Sequence, residues 1–272
     1  MILFPKQPHE NVVDYMFLDE YLAAQKAGFK CHLIIPERIK DTPMSVGIKA
    51  PKFEKETNGI YRGWIIRSNN NYYTGFYHGL LDVNRIKLVN NPFQYKTAQF
   101  LCESYSHFNN WMIPSVFLQH PTKKMIKLAT KQLKSLNLFV KDYVKSEPQY
   151  NKIDVRDVDG GMDILNSLKE ERGDMFEGGF VLRPYVDLMS VEYRLWVYKG
   201  RILNEFWEKL PEDLPALLYK KIESFKSDFY TIDIGRYKNG QLVVIETGDG
   251  QVSGLKALSP EIFYNQLKKF VK

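Results

Sequence analysis

The chain has 272 residues, 44% hydrophobic and 14% aromatic, enough for an ample core in one large domain or two. Its 38 basic residues outnumber 32 acids and give a net charge of +6 at pH 7, which favours anionic partners such as nucleotides, nucleic acid or acidic substrates without choosing among them. No run of about 18 apolar residues and no charged lead into an apolar stretch points to a membrane span or signal peptide, so a cytoplasmic location is the default expectation; Cys31 and Cys102 lie far apart with no CxxC or Cys/His cluster, which argues against zinc and against a disulfide scaffold.

Residues 1–90 read as a small α/β unit. Ile2 to Phe4 is a short apolar run, Val12 to Ala27 has helical composition and spacing, and Gly28 falls where a glycine ends a helix. Cys31 to Ile35 reads as a second strand and Gly59 to Ile66 (GIYRGWII) as a third. Arg62 is a lone charge in that aromatic run. Such a charge is costly unless paired, so Arg62 is expected either in a structural ion pair or facing an anionic ligand. Asn69 to Leu81 predicts a helix that packs Tyr72, Tyr73, Phe76 and Tyr77, and His78 within it lacks metal-ligand spacing. Lys87 to Asn90 suggests a short strand, and Asn91-Pro92 a turn into a helix from about Phe93 to Ser106, with a domain boundary nearby.

Trp111 to Gln119 contains an extended apolar run, and Thr122 to Leu136 predicts an amphipathic helix. Its Lys123, Lys127, Lys131 and Lys134 form a stripe that reads as a solvated face or, alternatively, a nucleic-acid contact. Leu138 to Lys145 (LFVKDYVK) alternates so that Lys141, Tyr143 and Lys145 share one strand face. Its two lysines either hold phosphates or cover a half-exposed strand. Ser146 to Asp159 reads as a polar loop with Arg156 as a candidate anion contact, and Gly161 to Arg172 as a helix. Gly178 to Tyr185 (GGFVLRPY) is a strand whose Arg183-Pro184 end leaves backbone groups free. Val191 to Tyr198 and Arg201 to Trp207 form a hairpin about Lys199-Gly200 that sets Arg194 opposite Glu205, so Arg194 is either a cross-strand ion pair or a phosphate contact. Glu192 shares its face. Helices follow from about Pro211 to Phe225 and from Glu261 to Val271.

Between those helices lies the most informative stretch, Phe229 to Gly254 (FYTIDIGRYKNGQLVVIETGDGQVSG). Asn239-Gly240 between alternating apolar residues predicts a two-residue hairpin loop. That register places Asp233 opposite Glu246, with Cβ atoms about 4.5–5.5 Å apart, where like charges repel unless something offsets them. A divalent cation would do so, with Asp249 as a third oxygen ligand in a set that suits Mg²⁺. The alternative is a solvated sheet face neutralised by lysine or arginine from neighbouring strands, and a loop one residue longer would put the two acids on opposite faces. Gly248, Gly250 and Gly254 have the spacing GxGxxxG, which is a weak dinucleotide signal.

The ordered set IYRGW, VKDYVKS, RPY, VEYRLWVYKGRI and TIDIGRYKNGQLVVIETGDG resembles the ATP-grasp proteins, and specifically the clade named for its two arginines and one lysine. The resemblance implies an α+β fold in which two ATP-grasp subdomains, 91–177 and 178–272, follow a Rossmann-like domain at 1–90 and hold ATP between them. It implies Lys141 on the nucleotide phosphates, with Lys145 or Arg194 assisting. Backbone from Arg183 through Pro184 and Tyr185 to Val186 would meet the adenine edge, and Glu192 or Asp187 the ribose. Asp233 and Glu246 would hold Mg²⁺, with Asp249 where the usual pattern has Glu-x-Asn. Arg62 would bind a substrate carboxylate or phosphate. Arg183 stands where many relatives carry an acid, which leaves ATP and GTP both open. The activity implied is an ATP- and Mg²⁺-dependent carboxylate–amine ligase working through an acylphosphate on substrates such as an amino acid, a peptide or a protein terminus. The alternatives are a phosphotransferase or a nucleic-acid-modifying enzyme on the same fold, or a nucleotide-binding protein without turnover.

Overall fold

The computed structural model describes residues 1–7, 9–35, 52–66, 72–144, 152–154, 156–190, 192–206 and 213–271. Its strands are β1 (Ile2–Pro5), β2 (Cys31–Ile34), β3 (Thr57–Tyr61), β4 (Ile86–Leu88), β5 (Val116–Leu118), β6 (Asn137–Asp142), β7 (Lys152–Asp154), β8 (Phe180–Pro184), β9 (Tyr193–Tyr198), β10 (Arg201–Ile202), β11 (Phe229–Arg236) and β12 (Leu242–Asp249). The helices are α1 (Leu18–Lys26), α2 (Tyr72–His78), α3 (Pro92–Gln99), α4 (Leu101–Phe108), α5 (Lys123–Leu133), α6 (Val158–Arg172), α7 (Ala216–Glu223) and α8 (Pro260–Phe270). Among the described residues no helix is long and apolar enough to cross a membrane.

Two compact units are formed. The first comprises Met1–Ala98, Leu195–Thr231 and Gly248–Lys272, and the second Gln99–Arg194 and Ile232–Thr247. The first contains a parallel sheet in the order β2-β1-β3-β4. Its core joins Ile2, Phe4, Ala24 and Phe29 to Trp196, Phe229, Phe263 and Leu267. Gly28, at φ +79°, ends the first helix as its position suggests. That helix begins six residues later than expected, because Asp14 caps a short 3₁₀ turn at Tyr15–Phe17. The third strand stops at Tyr61, so Arg62 lies just beyond it.

In the second unit β5-β8-β6-β7 form a sheet with antiparallel pairs. Leu138, Val140, Phe180 and Leu182 point into a core shared with Ile126, Ala129, Leu165 and Leu168 of α5 and α6. Thr122 caps α5 by accepting from the Met125 N–H, and Asp157 caps α6 by accepting from Gly160. Phe139 is opposite Arg183 and Lys141 opposite Val181, so Lys141 and Arg183 share the face turned away from that apolar core. Asp142 points the other way and is clamped at 2.8 Å by Arg172 Nε from α6. Gly178, at φ +78°, passes so close to Tyr143 that any Cβ would overlap the ring.

The third sheet has the strand order β10-β9-β11-β12. Its first hairpin has the expected register, Arg201 opposite Tyr198, but β10 ends at Ile202 and turns into a 3₁₀ segment at Leu203–Phe206. The ladder never extends to Glu205. The second hairpin corrects the expected loop: Tyr237 N–H bonds Gln241 O at 3.0 Å and Gly240 N–H bonds Tyr237 O at 2.8 Å, with Gly240 at φ +87°. This is a three-residue loop, Lys238 to Gly240, with the glycine in the left-handed position that such loops require. At the far end Gly250 N–H reaches Phe229 O, a register one residue displaced from that at the turn. Strand β12 therefore accommodates one residue more than β11 between Gln241 and Gly250, which is the signature of a bulge.

Two further differences have local causes. The helix expected from Phe93 to Ser106 is broken at Phe100, whose extended backbone lets Leu101 N–H bond Tyr143 O at 2.9 Å. Lys152–Asp154, expected as loop, forms β7 by pairing with β6 from Asn137 to Phe139.

Candidate functional site

The second unit gathers three basic and two acidic side chains from its strands. Lys141 on β6 is 3% exposed, and its ammonium lies 2.7 Å from Glu246 Oε2 on β12. Arg194 on β9 grips Asp233 on β11 as a fork, with Nε at 2.8 Å from Oδ1 and Nη2 at 2.7 Å from Oδ2. Among the described side chains Asp233 is an ion-pair partner of Arg194. Arg183 on β8 is 3% exposed and donates from Nε to Ser115 Oγ at 3.1 Å and from Nη1 to Ile245 O at 3.0 Å. Burial opposes ionisation of Glu246, but Lys141, with Arg183 and Arg194 behind it, holds its carboxyl below the usual range. The side chain keeps 37% of its surface exposed, so this charge remains open to solvent or ligand.

The acids expected to hold Mg²⁺ are therefore found beside basic partners. Among the described residues no three His, Cys, Asp or Glu side chains gather closely enough to hold a metal ion. Two carboxylates still fit a hard cation that is ordinarily held by one or two protein carboxylates, phosphate oxygens and water. In the Asp233–Arg194 fork each oxygen accepts one N–H from the guanidinium, which does not exhaust the lone pairs of either.

Asp249 and Arg62 belong to the first unit. Asp249 is fully buried and accepts from Asn90 Nδ2 and from Gln251 N (2.9 Å) and Nε2 (3.2 Å). Asn90 cannot turn its amide over, because its Oδ1 receives the Asp228 and Phe229 N–H groups. Burial pushes the Asp249 carboxyl up to about 7, against the pull of these donors and of Arg62. Because its proton is held more tightly folded than unfolded, the associated stability is complete below about 3.8 and is lost as pH rises through about 7. A carbon-detected NMR titration of this carboxyl in the metal-free protein is expected to give a midpoint near 7. A midpoint near 4 would mean that the three N–H donors outweigh burial.

Arg62 takes the ion-pair alternative. Its Nε and Nη2 bond both Glu20 oxygens at 2.8–3.0 Å, and its Nη1 bonds Gly250 O and Ser253 O. The guanidinium is 1% exposed and lies over Trp196 and Phe263, 5.1 and 5.6 Å from the ring centroids. All three nitrogens are directed at protein acceptors in this structure.

The other expected residues are more open. Tyr185 is 48% exposed and its N–H bonds Asn137 O at 2.9 Å. Pro184 and Val186 are not exposed to the same degree as Glu192, which lies at the surface. Asp187 forms a solvent-exposed pair with Lys238 at 2.9 Å, of a kind that contributes little. Arg156 pairs with Asp154 at the surface, Lys123, Lys127 and Lys131 lie exposed on α5, and Lys145 falls outside the described residues. The sequence reading overlooked Ser115 and the Asp142–Arg172 clamp. Asp142 carried a signal, since it is an acid on the same face as Leu138 and Val140.

The fold and this basic-acidic cluster define the class. A family model described as an ATP-grasp domain, the third family of the clade named for two arginines and one lysine, matches residues 112–267, more than half of the chain. The chain belongs to that family. Arg62 lies outside the matched residues, whereas Lys141, Arg183 and Arg194 lie inside. Among solved structures, an ATP-grasp RimK domain protein from Sphaerobacter thermophilus is similar with a TM-score of 0.64 at 11% identity, over 100% of this chain and 99% of that one. D-cycloserine synthetase DcsG gives 0.64 at 14% identity, over 100% and 99%. The ATP-grasp ligase PsnB, solved with a phosphomimetic variant of a minimal precursor, Mg and ADP, gives 0.61 at 8% identity, over 99% and 95%. These likenesses establish the α+β ATP-grasp fold. No curated protein matches the chain by sequence.

Proposed function

We propose that the chain is an ATP- and Mg²⁺-dependent ligase that joins a carboxylate to an amine through an acylphosphate. The observation that carries this reading is the pairing of Lys141 with Glu246 and of Arg194 with Asp233 within one unit of an ATP-grasp chain. PsnB, of the same fold, was solved with Mg and ADP beside a precursor variant, which supports the cofactor and suggests a peptide or amino-acid substrate here.

Asp233 and Glu246 would hold Mg²⁺. Asp249 is the third candidate ligand, and its present N–H donors would have to give way for it to serve. When bound, the ion would supply Lewis-acid stabilisation of phosphate charge. Release of the two acids from their basic partners leaves Lys141 and Arg194 free to offset the charge on the polyphosphate. The site thus exchanges internal ion pairs for pairs with the ligand. Backbone at Arg183 to Val186 would meet the base, with Asp187 or Glu192 at the ribose and Lys145 near the phosphates. A substrate carboxylate would attack the γ-phosphorus and release ADP. The amine would then displace phosphate from the acylphosphate. No protein nucleophile is needed, because positioning and electrostatic stabilisation carry the reaction.

The test is ATP turnover with Mg²⁺ across amino acids, short peptides and other acids, with and without hydroxylamine. ADP and phosphate should appear with the right acid, and hydroxylamine should trap the activated acyl group. Asp233→Asn is expected to lose at least about a hundredfold in turnover. Formation of ADP together with a stable phosphorylated product would instead identify a phosphotransferase.

A further inference from the structure

Lys141 is the next-to-last residue of β6, where the strand is held on one side only. Among the described residues β7 pairs with Asn137 to Phe139, whereas β8 continues alongside as far as Asp142. A strand end with a single ladder opens more easily than its middle, yet a charged group that is to meet a ligand has to be fixed to within about 0.5 Å. What fastens this end is Asp142. Its carboxylate, fully buried, accepts the Val144 N–H through Oδ1 at 2.7 Å and Arg172 Nε through Oδ2 at 2.8 Å. Arg172 is the last residue of α6, and its side chain is 10% exposed. Its Nη2 also donates to Met175 O at 3.2 Å, so the turn after the helix holds the guanidinium in place. One residue beyond Asp142, Tyr143 O accepts the Leu101 N–H at 2.9 Å, and the Tyr143 ring packs edge-on against Phe100 and Phe117.

We propose that Arg172 is a positioning residue for Lys141: by anchoring Asp142 it holds the end of β6 so that the Lys141 ammonium stands where an anionic ligand meets it. Successive strand side chains point to opposite faces, so fixing Asp142 on the α6 side sets the direction in which Lys141 leaves the other. A buried carboxylate stripped of its cation has to reach water. Without the guanidinium the strand end therefore shifts to expose Asp142, and Lys141 shifts with it. The role in turnover rests on the ligase reading, whereas the mechanical coupling of Arg172 to Lys141 does not.

The experiment compares the whole wild-type chain with Arg172→Lys and with a paired variant, Asp142→Asn together with Arg172→Met, each with and without Lys141→Met. The pair removes both buried charges, so it is expected to unfold in urea together with its parent, which separates positioning from folding. Three quantities are measured: turnover of Mg·ATP with the acid that supports it, calorimetric affinity for Mg·ADP, and the rate at which acetic anhydride labels Lys141, followed by mass spectrometry. In the paired variant, turnover per folded molecule is expected to fall at least about tenfold, and Lys141 to label at least about tenfold faster than in wild type. Arg172→Lys keeps the charge and should recover part of both. With Lys141→Met already present, the pair should cost nothing further in turnover or in Mg·ADP affinity.

Wild-type labelling of Lys141 in the paired variant overturns the proposal. So does a loss of turnover or affinity that is equally large with and without Lys141→Met, since the clamp then acts on the fold at large. If the paired variant fails to fold, an Arg172→Lys protein that matches wild type in both labelling and turnover overturns it in the same way. Faster labelling in a chain that turns over no nucleotide with any acid supports this inference and sinks the ligase reading. Unchanged labelling beside acid-dependent turnover does the reverse.

Discussion

Lys141→Met is expected to lower ATP turnover at least about a hundredfold while leaving the free protein as stable as its parent. The two effects separate because of where the partners lie. Lys141 is almost wholly buried, whereas Glu246 keeps 37% of its side-chain surface exposed. Methionine fills similar volume without a charge to desolvate, and the carboxylate left behind can hydrate. Replacement of a buried ion-pair member by an apolar side chain is often neutral when no buried charge is stranded. Glu246→Gln strands the ammonium instead, and should reduce stability by roughly 3 kcal/mol, the cost of an uncompensated buried charge. Urea unfolding alongside steady-state turnover distinguishes the cases. A Lys141→Met protein that turns over ATP normally would remove this lysine from the phosphate site.

The second large effect is on the fold. Arg62→Met should destabilise the protein by about 3–5 kcal/mol, a substantial part of an ordinary domain's stability. It leaves the Glu20 carboxylate, whose side chain is 12% exposed, without its cation, and it deprives Gly250 O and Ser253 O of their donor. The hydroxyl of Tyr264, 2.6 Å from Glu20 Oε2, cannot replace a full charge. Adding Glu20→Gln should recover part of the loss, and the double-mutant cycle in urea measures how strongly the two are coupled. Turnover per folded molecule should be unchanged. Unaltered stability with a raised KM would instead place Arg62 on a substrate.

Much of the fold is legible because its periodicities are strong. The alternation in LFVKDYVK correctly puts Val140 on the core face and Lys141 on the other, and Gly28 marks a helix end by its left-handed backbone while Thr122 marks another by its hydroxyl. The Asn239-Gly240 turn is found, but the loop takes in Lys238, and that single residue changes the register at the turn. Turn composition names the place of a hairpin more reliably than its length, since the two- and three-residue loops use the same glycine. Arg194 illustrates the opposite case: its strand and face are readable, but its partner lies on a strand far along the chain, where local pattern says nothing of neighbours. Arg62 shows that a lone charge in an aromatic run signals burial and pairing without revealing with what.

The order in which segments build the two units has a consequence for biosynthesis. Each unit is completed only by residues beyond Arg194, and the first needs Gly248–Lys272 as well. Until α8 has been synthesised, Ile2, Phe4 and Phe29 lack Phe263, Tyr264 and Leu267. A chain not yet extended through α8 thus exposes the apolar residues of β1 and α1, and loss of α8 by premature termination or a protease nick would unseat β1.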